Sequence, residues 1–224
     1  ITFFFNLPYY LNTDYHYITF FINVIIAFIK KRIFMLCGID EAGRGPIAGP
    51  LVVAGAILID EITGLNDSKQ LSEKKREKLF EEIKEKSKFH IVFTDAKTID
   101  EKGLSFCLKN SILEIMEKLK NDSTEFLMDG NTTFGINNLT CKIKADATVK
   151  EVSAASILAK VSRDRYMDEI SSKYPNYDFH KHKGYGTKAH VEAIKLYGRS
   201  EEHRVSFRLK ALGELDTGVQ KSLF

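Results

Sequence analysis

Two unbroken apolar runs, MLCGI (35–39) and LVVAGAILI (51–59), stand on either side of a glycine- and proline-rich segment. Runs of this length bounded by turn residues mark strands buried on both faces, so strands are predicted over 35–40 and 51–59. Gly55 would weaken the second strand unless another backbone packs close there. Beyond it the period lengthens. Ser72 caps a helix predicted to run to about residue 86, with Leu79, Phe80 and Ile83 on its inner face. FHIVFTD (89–95) alternates as a third strand, and Leu108, Ile112, Ile115 and Leu119 recur at helical spacing over 104–119. EFLMDG and TCKIKAD supply two more short strands, each ending in an aspartate. A long helix follows over about 150–171, and a last one over 187–197 is closed by Gly198.

This order predicts an α/β fold, a mixed five-stranded sheet flanked by helices. The early strands should pair antiparallel and the later ones return through crossovers. A chain of 224 residues without a long Pro/Gly/Ser linker is expected to bury one main core.

Residues 1–34 differ from the rest. They are rich in Phe, Tyr and Ile, and their apolar run over 18–29 is twelve residues long, short of the roughly 20 that cross a bilayer as a helix. The charged KKR lies after that run, opposite to a secretory signal. Met35 is the first methionine. The segment is expected to be an extension outside the fold, from a start site placed too early; the alternative is a membrane-contacting anchor whose basic flank leaves the following domain in the cytoplasm. The domain itself is expected over 35–212, with a flexible tail over 213–224.

Charge adds little. Setting aside the three basic residues and one acid of the first 34 leaves 30 basic and 29 acidic residues, so any basic surface must be local. Three widely spaced cysteines, Cys37, Cys107 and Cys141, argue for a reducing compartment and against a disulfide frame or zinc knuckle.

The acids change the picture. Strands end at Asp40 with Glu41, at Asp129 and at Asp146. Ligands of open sheets gather at strand ends, so these carboxylates can converge. Crowded carboxylates repel unless a cation neutralises them, and hard oxygen donors without a His/Cys cluster select magnesium or manganese. Two such ions about 4 Å apart form a site for in-line displacement at phosphorus. Each acid has a plainer reading: Asp129 as a turn residue before glycine, Asp146 as a lead into the next helix, and Asp95 as part of a solvated loop. Adjacent Asp40 and Glu41 reach one site only if the strand stops between them, and AGRG is expected to supply that stop. Gly43 and Gly45 let the main chain approach a ligand, and Arg44 offers donors to a phosphate.

GIDEAGRGPIAGPLVVAG, NDSKQLS, MDGN, KADATVKEVSAASILAKVSRDR and FHKHKGYGTKAH follow one another in the order and approximate spacing of the type 2 ribonucleases H. Over about 35–210 the chain resembles the bacterial ribonuclease HII family. The resemblance implies an RNase H-like sheet with a C-terminal helical extension, and a four-carboxylate site of Asp40, Glu41, Asp129 and Asp146. It implies two Mg2+ or Mn2+ ions in catalysis, one activating water and the other stabilising the departing 3′ oxygen. The implied substrates are the RNA strand of RNA/DNA hybrids and single ribonucleotides in duplex DNA, incised on the 5′ side to leave 3′-hydroxyl and 5′-phosphate ends. Gly43, Arg44, Gly45 and Tyr185 would read the 2′-hydroxyl. Lys69, Lys181 and Lys183 are expected to contact phosphates.

Several residues keep two readings. Tyr185 can instead be a partly buried aromatic in a glycine turn. Lys160, Arg163 and Arg165 share one side of the long helix and hold either backbone or acids, or pair with Asp164 or Asp168. His180, His182, His190 and His203 are candidates to assist proton transfer, though no histidine is needed as nucleophile or base. The small residues Ser153, Ala154 and Ala155 are expected to pack the helix tightly on the sheet. The terminal QKSLF, with Gln220, Leu223 and Phe224, resembles the peptide by which bacterial replication proteins dock on the sliding clamp; an apolar end folded back on its own domain is the alternative. A cytoplasmic monomer is expected.

Overall fold

β1 (Leu36–Ala42) lies at the centre of a five-stranded sheet of order β3-β2-β1-β4-β5. On one side it pairs antiparallel with β2 (Leu51–Leu58), which pairs antiparallel with β3 (Ser87–Thr94). On the other it runs parallel to β4 (Glu125–Asp129), which runs parallel to β5 (Leu139–Lys142). This is the mixed sheet that the alternation of strands and helices predicts.

The computed structural model describes residues 17–23, 35–65, 71–123 and 125–214. The chain divides into two units, Ile1–Met35 and Leu36–Phe224. In the first, residues 17–23 are helical. Among the described residues no helix is long and apolar enough to cross a membrane.

In the second unit six helices accompany the sheet among the described residues: α1 (Glu73–Lys86), α2 (Ala96–Lys102), α3 (Leu104–Leu119), α4 (Lys150–Lys173), α5 (Phe179–His182) and α6 (Lys188–Tyr197). Ser72 caps α1, its hydroxyl accepting from the Lys75 amide. Successive β2 residues serve opposite faces, as strand geometry requires. Ala54 and Ala56 join Ala154, Ala155 and Leu158 of α4 in one buried cluster, while Gly55 faces α3.

Two glycines let the layers close. At Gly38 a Cβ would overlap the backbone of Glu151 and Val152, so β1 and the first turn of α4 touch main chain to main chain. At Gly55 the close neighbour is a side chain, Ile115, and not the backbone that the sequence suggested.

Three local expectations fail. The segment after Asp95 is a helix, with the Asp95 carboxylate accepting from the Thr98 amide at 2.6 Å, and not a solvated loop. β1 continues through Ala42 instead of stopping between Asp40 and Glu41. β5 ends at Lys142, so Asp146 lies on a short 3-10 turn (Ala145–Ala147), not at a strand end.

Candidate active site

The β1–β4 pairing ends at Ile39 and Met128. Past that point Asp40 and Glu41 still pair with Ala54 and Val53 of β2, but their β4-side edge is open. Asp129 is the last residue of β4. Two parallel strands therefore release three carboxylates at the same end of the sheet, where ligands of such sheets collect. That open edge is what lets two adjacent strand residues serve one site.

Asp40, Glu41 and Asp129 line a cavity of about 380 Å³ whose other walls include Gly43, Arg44, Gly45, Ser156, Lys160, Arg163 and Tyr185. Asp40 is only 7% exposed. Burial first, then the Glu41 and Asp129 carboxylates, push its carboxyl well above the usual range, against the opposing hydrogen bonds from Ser156 and the Glu41 amide. Glu41 pairs with Arg44 at 3.2 Å. Asp129 accepts a hydrogen bond from the Ala145 amide at 2.7 Å. Asp146, the next residue on that turn, is buried but is not among the cavity-lining residues; the Ser153 hydroxyl donates to its carbonyl. The structure thus gathers three of the four expected acids in one cavity and sets the fourth beside the amide that holds Asp129.

The glycine loop owes its shape to a buried cation. Gly43 has φ +98°, and a Cβ there would collide with Arg163 and the Pro50 carbonyl. Gly45 needs no such conformation; a Cβ on it would stand 3.8 Å from the Tyr185 ring, in ordinary contact, so Gly45 and Tyr185 adjoin each other on the cavity wall. Arg163, 2% exposed, donates to the carbonyls of Pro50 (2.9 Å), Ala48 (3.0 Å) and Lys183 (2.9 Å). It joins the glycine loop to the loop carrying Tyr185. Arg204 clamps the same loop through the Gly49 carbonyl at 3.0 and 2.8 Å. Burial lowers the two guanidiniums to about 10 and about 9, so both stay charged at neutral pH.

The remaining candidates divide. Lys160 lines the cavity and also pairs with Asp164 at 2.8 Å. Arg165 pairs with Glu77 and Glu81 of α1 and takes no part in the cavity wall. Lys181 pairs with Asp178 at 2.7 Å and Lys183 with Asp168; neither lines the cavity. Tyr185 is half exposed at the cavity, not buried in its turn. His190 and His203 are buried against each other, Nε2 to Nε2 at 3.0 Å, and His180 bonds Ser171 at 2.9 Å; none of the histidines lines the cavity, so the proton-transfer role expected of them has no geometry behind it. Lys69, Gln220, Leu223 and Phe224 lie outside the described residues. Sequence reasoning missed Ser156 as a partner of Asp40 and Arg204 as a loop clamp.

The donor set is all hard oxygen, which suits magnesium or manganese and not zinc. Among the described residues no three His, Cys, Asp or Glu side chains form a ready metal cage. Mg2+ sites are usually of this open kind, with one or two carboxylates, waters and substrate phosphates completing the shell. Burial chiefly raises Asp40, and the Glu41 and Asp129 carboxylates add a repulsion that a cation would relieve. The residues fit a divalent ion.

Residues 37–210 match the family model described as ribonuclease HII. The chain belongs to the ribonuclease HII family. A ribonuclease HII of Aliarcobacter butzleri is 77% identical over 189 residues, covering 84% of this chain and 98% of the relative. Among solved structures, ribonuclease HII from a PCNA complex of Archaeoglobus fulgidus superposes with a TM-score of 0.68 at 30% identity, covering 79% of this chain and 96% of that one. Bst-RNase HIII in complex with Mn2+ shares the fold at 19% identity, with a TM-score of 0.63 over 81% of this chain and 70% of that one. Ribonuclease HII proteins are enzymes of the ribonuclease H class, and this chain is one of them.

Proposed function

We propose that the chain hydrolyses the RNA strand of RNA/DNA hybrids and incises duplex DNA on the 5′ side of embedded ribonucleotides, leaving 3′-hydroxyl and 5′-phosphate ends. The observation that carries this reading is that one cavity is lined both by Asp40, Glu41 and Asp129 and by the adjoining pair Gly45 and Tyr185. The first group suits phosphodiester chemistry. The second suits recognition of a sugar.

Asp40, Glu41, Asp129 and Asp146 would hold two Mg2+ or Mn2+ ions, which supply Lewis-acid activation of water and charge stabilisation at the scissile phosphate. That a family-fold neighbour was solved with Mn2+ supports the choice of ion. The chain's own residues do the rest. The Gly43–Gly45 main chain borders the cavity and can hydrogen-bond the 2′-hydroxyl, the group that distinguishes RNA from DNA. Tyr185 offers a flat ring to the neighbouring sugar. Arg44 and Lys160 bring positive charge to the cavity for the phosphate, and Lys69, Lys181 and Lys183 position the duplex farther out. Arg163 keeps the two recognition loops in register, so positioning contributes much of the rate.

We further propose the domain over 35–212 as the catalytic unit, working as a cytoplasmic monomer, with residues 1–34 outside it. The tail over 213–224 would bring Gln220, Leu223 and Phe224 to the bacterial sliding clamp. The PCNA complex of the Archaeoglobus relative supports a clamp partner in general.

The test is a DNA duplex carrying one ribonucleotide beside an all-DNA control, both with Mg2+. Cutting confined to the first, at the ribonucleotide's 5′ side, is expected; equal cutting of both defeats the reading.

A further inference from the structure

Behind Tyr185 lies a line of buried imidazoles that the proposed chemistry does not use. His190 Nδ1 stands 2.9 Å from the Tyr185 carbonyl, its Nε2 stands 3.0 Å from His203 Nε2, and His203 Nδ1 stands 2.8 Å from the Ser200 amide. One tautomer assignment satisfies all three contacts. A carbonyl only accepts, so His190 carries its proton on Nδ1 and presents a bare Nε2. The Ser200 N–H only donates, so His203 carries its proton on Nε2 and gives it to His190. The direction of donation therefore runs from Ser200 through His203 and His190 to the Tyr185 carbonyl. Burial holds both imidazoles down at about 4, which keeps them neutral as this chain requires.

The line has a second anchor. Residue 203 forms a β-bridge with Ala48, and the Ile47 amide donates to the Gly184 carbonyl at 2.9 Å. The two loops that meet at Gly45 and Tyr185 are thus cross-linked a second time through Ala48, His203, His190 and Tyr185. His182, stacked on His190 with ring centroids 4.2 Å apart, fills the side of the assembly.

We infer that His190 and His203 are positioning residues that set the height of the Tyr185 backbone beside Gly45, and through it the fit of the ribonucleotide sugar. This rests on the reading that Tyr185 meets the substrate. His190 acts through one hydrogen bond to a carbonyl, so its contribution should exist only while the tyrosine ring is there to be placed.

A double-mutant cycle on kcat/KM for a single-ribonucleotide duplex tests this. His190→Leu should lower kcat/KM about 10-fold in the parent protein, the scale of one lost hydrogen bond with its acceptor left buried, and less than about 2-fold on a Tyr185→Ala background. His190→Asn, whose amide N–H can take the place of Nδ1–H, should recover most of the loss. If His190→Leu does not fold, His203→Asn, whose side-chain oxygen still accepts from the Ser200 amide but which is too short to donate to His190, is compared on the two backgrounds, and the inference requires it to lose activity only where Tyr185 is present. Equal losses on both backgrounds mean a merely structural role and overturn the inference, while Tyr185→Ala retains its own large defect and the parent reading stands. A Tyr185→Ala protein as active as the parent overturns the parent reading and this inference together.

Discussion

The Asp129 carboxylate accepts a hydrogen bond from the Ala145 main-chain amide at 2.7 Å. The acid that ends β4 is thereby tied to the turn that carries Asp146, so two acids separated along the chain are placed by one contact. Ser153 on α4 secures the other side of that turn through the Asp146 carbonyl.

Asp129→Asn and Asp129→Ala should therefore separate charge from tether. The asparagine keeps an oxygen for the Ala145 amide, so its unfolding free energy should fall by less than about 0.5 kcal/mol; alanine, which drops the bond, should cost about 1–2 kcal/mol. Both should lose cleavage. Urea unfolding beside a cleavage assay checks this, and an asparagine variant as unstable as the alanine one would contradict the tether.

Gly43 and Gly45 should respond differently to alanine. At Gly43 the positive φ and the overlap with Arg163 and Pro50 predict a loss of at least about 2 kcal/mol. At Gly45 the new methyl meets Tyr185 at an ordinary 3.8 Å, so stability should hold while KM for a ribonucleotide-containing duplex rises. Thermal unfolding of both variants, with steady-state kinetics of the second, decides it.

Arg163→Met should strand the carbonyls of Pro50, Ala48 and Lys183. About 3 kcal/mol of stability should go, since buried acceptors are costly to leave unmet. Arg163→Lys should recover only part, because an ammonium cannot reproduce the spread of a guanidinium. Denaturant titration of the three proteins measures the series.

His190 and His203 predict an acid-side loss of stability. Folding lowers both from the ordinary 6.5 to about 4. The unfolded chain binds protons below 6.5 that the folded chain refuses, so this stability is whole above pH 6.5 and falls as pH drops towards 4. The loss should be on the order of 1–3 kcal/mol per imidazole. Melting curves of the parent and a His203→Gln variant between pH 7.5 and 4.5 test it: the variant should show the shallower decline.

Much of this fold was legible because it is written in local patterns. The apolar runs of β1 and β2, the 3.6 period of α3 and the small residues of α4 each point to their own burial. Asp40, Glu41 and Asp129 were legible as acids at strand ends. What was not legible depends on distant partners. Arg163 finds its carbonyls 113 and 115 residues away in sequence, so nothing near it announces a clamp. The strand break expected between Asp40 and Glu41 was unnecessary because β4 pairing ends at Ile39, a register set by another strand. The helix after Asp95 is only seven residues long, too short to show a period, and its cap reads equally well as a loop aspartate. Asp146 looked like a strand end because KIK continues the alternation, yet β5 ends at Lys142 and the chain turns, with Lys144 in a left-handed conformation, before it reaches Asp146.

The proposed function requires Asp40, with the partly buried Glu41 and Asp129 at the split between β1 and β4, to support hydrolysis at a ribonucleotide with a divalent ion. The most direct measurement is single-turnover cleavage of a one-ribonucleotide duplex in Mg2+ by the parent protein and by Asp40→Asn, with duplex affinity measured alongside. The variant should cut at least about 1,000-fold more slowly, as expected when transition-state charge stabilisation is lost, while binding the duplex almost as well. An Asp40→Asn protein that cleaves at the parent rate contradicts the proposed function.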